Sequence, residues 1–372
     1  MSRKINLAII TLSMGQGGIE NLILSIIKKI NRTQFYVYLY VLDYEGDLYN
    51  EAQKLGIQTR YIKRNPGLDI ALVFRLILQF RKDKIDIVHS HNEASYFYSS
   101  LAALFARVPV NITTEHSRHY INNLKRRKIE KKILSYFTKK IVTVSRELEE
   151  QSILKDKINP KKIITIQNGI DIEKFQRYNT TKIKTLKKEM QIGNENIITI
   201  IARLDPIKNH ILFLKSIVEL IKINNNVKVL IVGEGPDKNM LMEKTKEWGL
   251  KDIVMFCGIR NDIPGIFSIT DVLVLTSKRE GLPLVLLESM AAKVPIVLTK
   301  GANRSKIIKP NKNGMQVNDN PKEIAKKIQM YLDNDKLKQE HVNKNFRYVK
   351  QNYSIERTFQ KYVDLYNTCL SE

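Results

Sequence analysis

Two successive sets of short Ile- and Val-rich runs, alternating with helical stretches, constrain this chain more than any other feature. The first set is KINLAII (4–10), FYVYLYVL (35–42), DIVHSH (86–91), VNITTEH (110–116), KIVTVS (140–145) and KIITIQNG (162–169). The second is NIITIIARL (196–204), VKVLIVGEG (227–235), IVMFCG (253–258), DVLVLTS (271–277) and PIVLTKG (295–301), followed by a helical tail over roughly 321–370. Apolar runs separated by crossovers rather than tight turns read as parallel strands covered on both faces. The pattern predicts an α/β chain of two Rossmann-like, doubly wound parallel-sheet domains. Residues 1–172 form the first and 195–354 the second. The polar, basic, weakly periodic stretch 173–194 reads as a linker, and a terminal helix around 355–372 is free to pack back onto the first domain.

At 43% hydrophobic, 372 residues suffice for two cores of ordinary size, which excludes a disordered chain. Lys and Arg number 62 against 38 Asp and Glu, a net charge of +24 that favours anionic partners without choosing among them. The longest uncharged apolar runs, such as 94–106, are shorter than a spanning helix needs, and Cys257 and Cys369 are the only cysteines. These features predict a reduced, cytoplasmic, non-spanning protein. Ser2-Arg3-Lys4 before INLAIITLSM has the charge and length of a secretory leader. No small-x-small cleavage site follows, and the stretch runs instead into GQGG (15–18), as a first buried strand runs into a glycine turn.

In open parallel sheets, ligands bind at the carboxyl ends of strands near a topological switch point, and the chemistry-bearing residues here fall at such ends. Gly17 and Gly18 follow the first strand, where the backbone can approach a ligand and a helix N-terminus can receive an anion. The run departs from a dinucleotide fingerprint at Glu20. His116 ends another strand and suits a hydrogen bond to a sugar hydroxyl or transferred group, whereas His89 and His91 read as structural. Zinc is not expected, because no clustered third and fourth ligand accompanies the histidines.

In the second set, Arg203 and Lys208 flank an Asp205-Pro206 turn just before a helix, a pairing suited to the charge of a diphosphate leaving group. Gly233 and Gly235 in VGEGP again permit close backbone approach. FCGIRNDIP (256–264) offers backbone groups to a flat base. In DVLVLTSKREGLPLVLLESMAAKVPIV (271–297), Glu280 sits in a loop, Gly281-Leu282-Pro283 turn the chain, and Glu288 follows on a helix. A loop carboxylate can accept bonds from sugar hydroxyls, amides after it can hold a phosphate or sugar oxygen, and a helix carboxylate can chelate a vicinal diol such as ribose.

Taken together, GGIE, T-x-H, NGID (168–171), ARLDPIKNH, VGEGP, F-x-G and E-x7-E resemble the retaining nucleotide-sugar glycosyltransferases of family 4, with the two-domain GT-B fold. The resemblance covers nearly the whole chain, and R-x4-K and E-G-x-P-x4-E-x-M-A are its most specific parts. It implies that Arg203 and Lys208 bind the donor diphosphate, Glu280 the donor sugar and Glu288 the ribose. Gly233, Gly281 and Leu282 would complete the donor site. Gly17 and Gly18 would approach the diphosphate or reacting centre from the facing domain across a crevice, with His116 near the transferred sugar. It further implies retention of configuration by same-face attack, no cofactor, no metal and no side-chain nucleophile. DND at 333–335 reads as solvated. Lys306 in GANRSKII (301–308) stands where many members have glutamate, so no site residue is assigned in that loop.

The donor expected from this resemblance is a nucleotide sugar, UDP-linked, carrying a hexose or N-acetylhexosamine. The expected acceptor is a lipid-linked glycan of bacterial cell-surface polysaccharide. Nine Lys/Arg against one Glu in 118–140, with Ile121, Leu124, Ile129, Ile133 and Phe137 near helical spacing, suit the anionic inner face of a membrane. An ordinary basic surface helix reads equally well. Two other activities stay open: a nucleotide-sugar epimerase or phosphorylase on the same fold, and a nucleic-acid-binding protein. The last lacks a helix-turn-helix, zinc or aromatic-platform signature, and no nucleic-acid partner is expected.

Overall fold

The computed structural model describes residues 3–15, 17–116 and 124–372; the side chains of 124–127 also lie outside the description. Gln16 of the first glycine turn and residues 118–123 of the basic stretch are therefore not described. The chain forms two compact units, Met1–Gly169 with Ile355–Glu372, and Ile170–Ser354.

The first unit holds a seven-stranded sheet: β1 (Ile5–Ser13), β2 (Phe35–Tyr44), β3 (Gln58–Tyr61), β4 (Ile87–His91), β5 (Val110–Glu115), β6 (Lys140–Thr143) and β7 (Ile163–Thr165). The second holds six: β8 (Asn196–Ile201), β9 (Val227–Val232), β10 (Val254–Gly258), β11 (Val272–Leu275), β12 (Ile296–Thr299) and β13 (Met315–Val317). Their orders are β3-β2-β1-β4-β5-β6-β7 and β10-β9-β8-β11-β12-β13, with every pair parallel. The order reverses between β1 and β4 in one sheet and between β8 and β11 in the other. Those two points are where helices leave in opposite directions and a cleft opens at the strand ends.

Helices cover both faces of each sheet. Gly18–Lys29 buries Leu22, Ile23, Ile26 and Ile27, and Ile70–Lys82 buries Leu72, Val73, Leu76 and Phe80 against the opposite face. In the second unit His210–Ile221 buries Phe213, Leu214 and Ile217, while Leu284–Ala291 buries Leu286, Leu287 and Met290. Two strands escape the sequence pattern. Gln-Thr-Arg-Tyr (β3) and Met-Gln-Val (β13) are three- or four-residue edge strands with no apolar run to announce them.

The stretch 173–194 is not a linker. Glu173–Gln176 forms a turn of 3-10 helix whose Phe175 ring meets Phe267 edge-on at 5.9 Å. Thr180–Glu189 is an α-helix, its start capped by Asn179 Oδ1 accepting from Lys182 N at 3.0 Å. Leu186, Met190 and Ile192 are buried against β8, β9 and the Ile263–Ile269 helix. Lys182, Lys184 and Lys188 on the exposed side supply the polar character that suggested a linker.

The helix Ile355–Ser371 belongs to the first unit, where Tyr362 and Tyr366 are fully buried. Tyr366 packs edge-on to Phe35 at 5.9 Å, and its hydroxyl is 2.6 Å from His89 Nδ1. Thr358 Oγ1 donates to Gln167 O at 3.0 Å, fixing the start of the helix. Tyr366→Phe leaves one ring nitrogen of His89 without a partner in a buried site. It is expected to lower stability by about 1–2 kcal/mol, read as a shifted urea midpoint with an unchanged slope.

Candidate active site

The second sheet brings Lys208 and Glu280 into direct contact. Beside β8, the first two residues of β11 pair Val272 with Ile198 and Leu273 with Thr199, so the loops leaving these two strands are neighbours. Asp205 organises the first loop: its carboxylate accepts from Ile207 N at 3.0 Å and Lys208 N at 3.2 Å. The second loop is tied to the first, because Thr276 Oγ1 donates to Lys208 O at 3.0 Å and Lys278 N donates to Ile207 O at 2.8 Å. It is tied also to the β12 end, where Glu280 N donates to Gly301 O at 3.0 Å. A Cβ on Gly301 would overlap the carbonyls of Ser277 and Lys278, so this position requires glycine.

On this frame the Lys208 ammonium forms an ion pair with Glu280 Oε1, which also accepts from Ser277 Oγ at 2.8 Å. Both charged side chains are largely covered, at 25% and 16% exposure. Arg203 stands on the same loop but is 70% exposed, with Asp205 4.0 Å away. The strand-end spacing singled out these residues; Asp205 was marked only as part of a turn and Ser277 was given no role, because what they hold depends on which loops adjoin.

Gly233 acts differently from the expected ligand contact. Its φ is 137°, its amide donates to Gly258 O at 2.8 Å, and a Cβ would strike Ala202 O. Gly235 is equally tight against Leu204, whose amide donates to Glu234 O at 3.0 Å. The VGEGP turn therefore holds residues 202–205 in place by packing, and the Gly233 amide is already satisfied.

Gly281 is exposed with open space around its Cα, and Leu282 is half-buried. The helix after them begins at Leu284 with Pro283 as its cap and no side-chain cap bond, leaving amides unfilled at its N-terminus. Glu288 on that helix is half-buried. Burial pushes its carboxyl up to about 7, with Lys174 opposing the shift.

His210, not singled out from the sequence, directly follows Asn209, which adopts a left-handed φ of 55°. Its ring is buried with neither nitrogen hydrogen-bonded, and burial pushes its pKa down to about 4. It is neutral.

In the first sheet, β1, β4 and β5 deliver the remaining residues. Gly17 caps the Gly18–Lys29 helix without a side-chain bond. Glu20 folds back beside Gly17 to accept from Ser13 Oγ at 2.7 Å, filling the space a Cβ would need. His89 and His91 share one face of β4, their rings 4.3 Å apart. His89 is satisfied on both sides, by Tyr366 and by Thr114 Oγ1 at 2.7 Å, and burial pushes its pKa down to about 3. That is the structural role expected of it. His91 Nδ1 lies 2.9 Å from His116 Nε2, and burial pushes the His116 ring down to about 4. Glu115, beside His116, is buried with Lys131 Nζ at 2.6 Å, and Asp156 holds the same ammonium at 2.9 Å.

Elsewhere, Asp333 and Asp335 are exposed and Asn334 caps a helix by accepting from Leu337 N, so DND is solvated. Lys306 is exposed, and the loop around it is organised by Asn303, whose amide donates to Ile308 O and Gln316 Oε1, both at 2.7 Å. Among the described residues no group of three or more acidic, His or Cys side chains is placed to hold a metal, and no helix is long and apolar enough to cross a membrane.

Comparison with known proteins accounts for both units. Residues 16–174 match the model described as Glycosyltransferase Family 4, and residues 182–348 match that described as Glycosyl transferases group 1. The chain is similar to the UDP-Gal:alpha-D-GlcNAc-diphosphoundecaprenol alpha-1,3-galactosyltransferase of Escherichia coli, at 30% identity over 311 residues, covering 80% of this chain and 79% of that protein. It is also similar to the capsular polysaccharide biosynthesis glycosyltransferase CapH of Staphylococcus aureus, at 28% identity, covering 74% and 76%. Among solved structures, a glycosyltransferase from Rickettsia africae ESF-5 superimposes with a TM-score of 0.86 at 20% identity, covering 99% of each chain. Anabaena Alr3699/HepE in complex with UDP gives 0.82 at 17%, covering 98% of this chain and 100% of that one. These structural neighbours share the GT-B fold, and with the sequence matches they establish that the chain belongs to glycosyltransferase family 4.

Proposed function

We propose that this glycosyltransferase moves a hexose or N-acetylhexosamine from a UDP-sugar, with retained anomeric configuration, to a lipid-linked glycan in bacterial surface-polysaccharide assembly. The observation that carries the donor half is the Lys208–Glu280 pair at the switch point of the second sheet, with the uncapped Leu284–Ala291 helix beginning a few residues on. Lys208 and Arg203 meet the diphosphate charge, the amides of Gly281 and Leu282 add hydrogen bonds, Glu280 accepts from hydroxyls of the sugar, and Glu288 accepts from the ribose diol. With two cations and a helix N-terminus so arranged, neutralisation of the leaving group needs no metal ion. Gly233 serves this site by shaping the loop that carries Arg203.

In the reaction, the bond from the sugar C1 to the diphosphate oxygen breaks as the acceptor oxygen bonds C1 on the same face. The acceptor proton passes to the departing phosphate oxygen. No side chain becomes covalently linked. From the first unit, Gly17 and Gly18 offer close backbone approach, and His116, neutral at physiological pH, offers a hydrogen bond to the transferred sugar.

The acceptor assignment is supported by the relatives, since the Escherichia coli protein is named for a diphosphoundecaprenol-linked acceptor. It is also supported by the surface of the first unit. Ile70, Phe74 and Leu78 form an exposed stripe on one helix, Phe105 is exposed on the next (Glu93–Ala106), and Ile129, Ile133 and Tyr136 on Leu124–Phe137. These helices touch in sequence order, and the first and third carry basic residues among the apolar ones, a combination suited to the inner face of an anionic membrane. Phe74→Ser with Ile133→Ser is expected to weaken sedimentation with phosphatidylglycerol vesicles while leaving UDP affinity unchanged. Equal sedimentation by both proteins would remove this surface from the reading.

The donor is tested by calorimetric titration with UDP, GDP and ADP in the presence of a chelator. Selective UDP binding is expected, and preference for another base would redirect the search for the sugar.

A further inference from the structure

The last residue of β2 leaves the sheet on the face opposite to the one its spacing assigns. Along β2, Val37, Leu39 and Val41 pack in the core beneath the Gly18–Lys29 helix, while Tyr40 and Leu42 pack in the core of the Ile70–Lys82 helix. Simple alternation would send Tyr44 after Tyr40 and Leu42. The pairing with β1 shows an extra residue instead: Thr11 pairs with Val41, but Ser13, two residues on, pairs with Tyr44, three residues on. One inserted residue exchanges the faces, so Tyr44 shares the face of Val41 and Ser13. Its ring rests on Gly15, where a Cβ would stand 3.6 Å from a ring carbon. The backbone beneath is fixed, since Met14 N donates to Tyr44 O and Leu48 N to Met14 O, both at 3.0 Å. The ring itself stays 63% exposed.

We infer that Tyr44 is a platform for a sugar ring of the acceptor, a specificity-determining contact in the first unit. A pyranose has a face built largely of C–H bonds and a rim of hydroxyls. An exposed aromatic face held on rigid backbone covers that C–H face at little entropic cost and leaves the rim to polar partners. Such partners stand at the same strand end. Asp43 binds Arg64 through two parallel bonds of 2.7 and 2.8 Å, and both side chains remain partly exposed, able to add bonds to hydroxyls. Position selects the acceptor. The loop under Tyr44 runs from Gly15 to Gly17, whose amide donates to Gly15 O at 3.2 Å before the Gly18–Lys29 helix begins. The assignment rests on the reading of Gly17 as the approach to the reacting centre. Arg203, Lys208, Glu280 and Glu288 of the second unit supply the donor contacts in that reading, so a sugar bound beside Gly17 in the first belongs to the acceptor. Tyr36, also exposed on β2, lies at the amino end of the strand, away from the carboxyl ends where ligands bind.

The test is saturation-transfer NMR on the full chain with the methyl glycosides of glucose, galactose, N-acetylglucosamine and N-acetylgalactosamine as probes, alongside calorimetry with UDP. In the wild type, at least one glycoside is expected to show saturation of the C–H protons on one ring face. In Tyr44→Ala the affinity for that glycoside should fall about tenfold, in Tyr44→Trp it should be kept, and in Tyr36→Ala it should not change. UDP affinity should be equal in all of these proteins, and the exposure of the ring predicts unchanged thermal unfolding. Equal glycoside affinity in Tyr44→Ala, or no saturation of any of the glycosides, overturns the proposal. So does a raised KM for the UDP-sugar in Tyr44→Ala, measured as UDP release without acceptor, because the ring would then lie against the donor. A wild type that binds a glycoside through Tyr44 but releases no UDP from UDP-sugars would instead defeat the proposed reaction, while the glycoside affinities would still decide the platform.

Discussion

Lys208→Ala is expected to lower sugar transfer by roughly 10²–10³-fold, the usual loss when a fixed donor to a developing anion is removed. Stability should barely move. The pair is only partly covered, so Glu280 can turn to water and to Ser277, and the change in unfolding free energy should stay within about 1 kcal/mol. Glu280→Ala separates two events that Lys208→Ala combines. Without a nucleotide, the Lys208 ammonium is engaged by Glu280. Removing the carboxylate frees that ammonium for a diphosphate, so UDP alone should bind at least as tightly, while turnover of the UDP-sugar collapses for want of a partner to its hydroxyls. Calorimetry with UDP and release of UDP from the sugar conjugate measure the two quantities. Normal turnover by both variants would defeat the proposed donor site. UDP binding that weakens in Glu280→Ala would mean the carboxylate positions Lys208 rather than competing for it. In the double variant the losses should be less than additive, because the two residues form one unit.

The second large effect concerns acidity. Burial raises the Glu288 carboxyl to about 7, so near pH 6 it is mostly protonated before a nucleotide arrives. A ribose diol donates better to a carboxylate than to a carboxylic acid, so binding favours loss of that proton. UDP affinity is then expected to rise about tenfold between pH 6 and pH 8, and Glu288→Gln should remove that part of the slope. Comparing the two proteins cancels the titration of the phosphate itself. The same group acts on the fold with the opposite sign. Its pKa in the folded protein exceeds the ordinary value of 4.5, so its ionisation progressively destabilises the fold as pH rises through the interval up to about 7. Glu288→Gln should therefore raise the urea midpoint at pH 8 and leave it unchanged at pH 4. Parallel affinity profiles for the two proteins would show that the ribose binds elsewhere.

Much of this was legible in the sequence, because strands buried on both faces are written as uninterrupted Ile/Val runs and their carboxyl ends can be marked directly. That is how Arg203, Lys208, Glu280 and His116 were singled out as candidates. What depends on register was not legible. The contact of Lys208 with Glu280 follows from β11 lying beside β8, and the contact of His91 with His116 follows from His91 pairing with Thr114 across β4 and β5. His91 consequently read as structural, although among the described residues its ring is hydrogen-bonded to that of His116. The linker reading of 173–194 failed for a different reason. A ten-residue helix exposing three lysines has too few buried positions to display a period, so its buried Leu186 is diluted by its neighbours. Gly233 shows a further limit, since spacing cannot tell a glycine that admits a ligand from one that admits the carbonyl of a neighbouring loop, here Ala202 O.

Because Tyr362 and Tyr366, fully buried in the first unit, lie on the helix Ile355–Ser371, its assembly has an order imposed by synthesis. When Gly169 leaves the ribosome, every strand of the first sheet has been made, yet His89 still lacks Tyr366, and the groove for that helix is open. The whole second unit must then be translated, on the order of 10–40 s at bacterial elongation rates, before the missing helix emerges. During that interval the nascent chain presents apolar surface that a chaperone can hold, and the second unit is free to fold first although it is encoded later. Ribosomes stalled just before Ile355 should therefore carry a protease-resistant second unit beside a protease-sensitive first one.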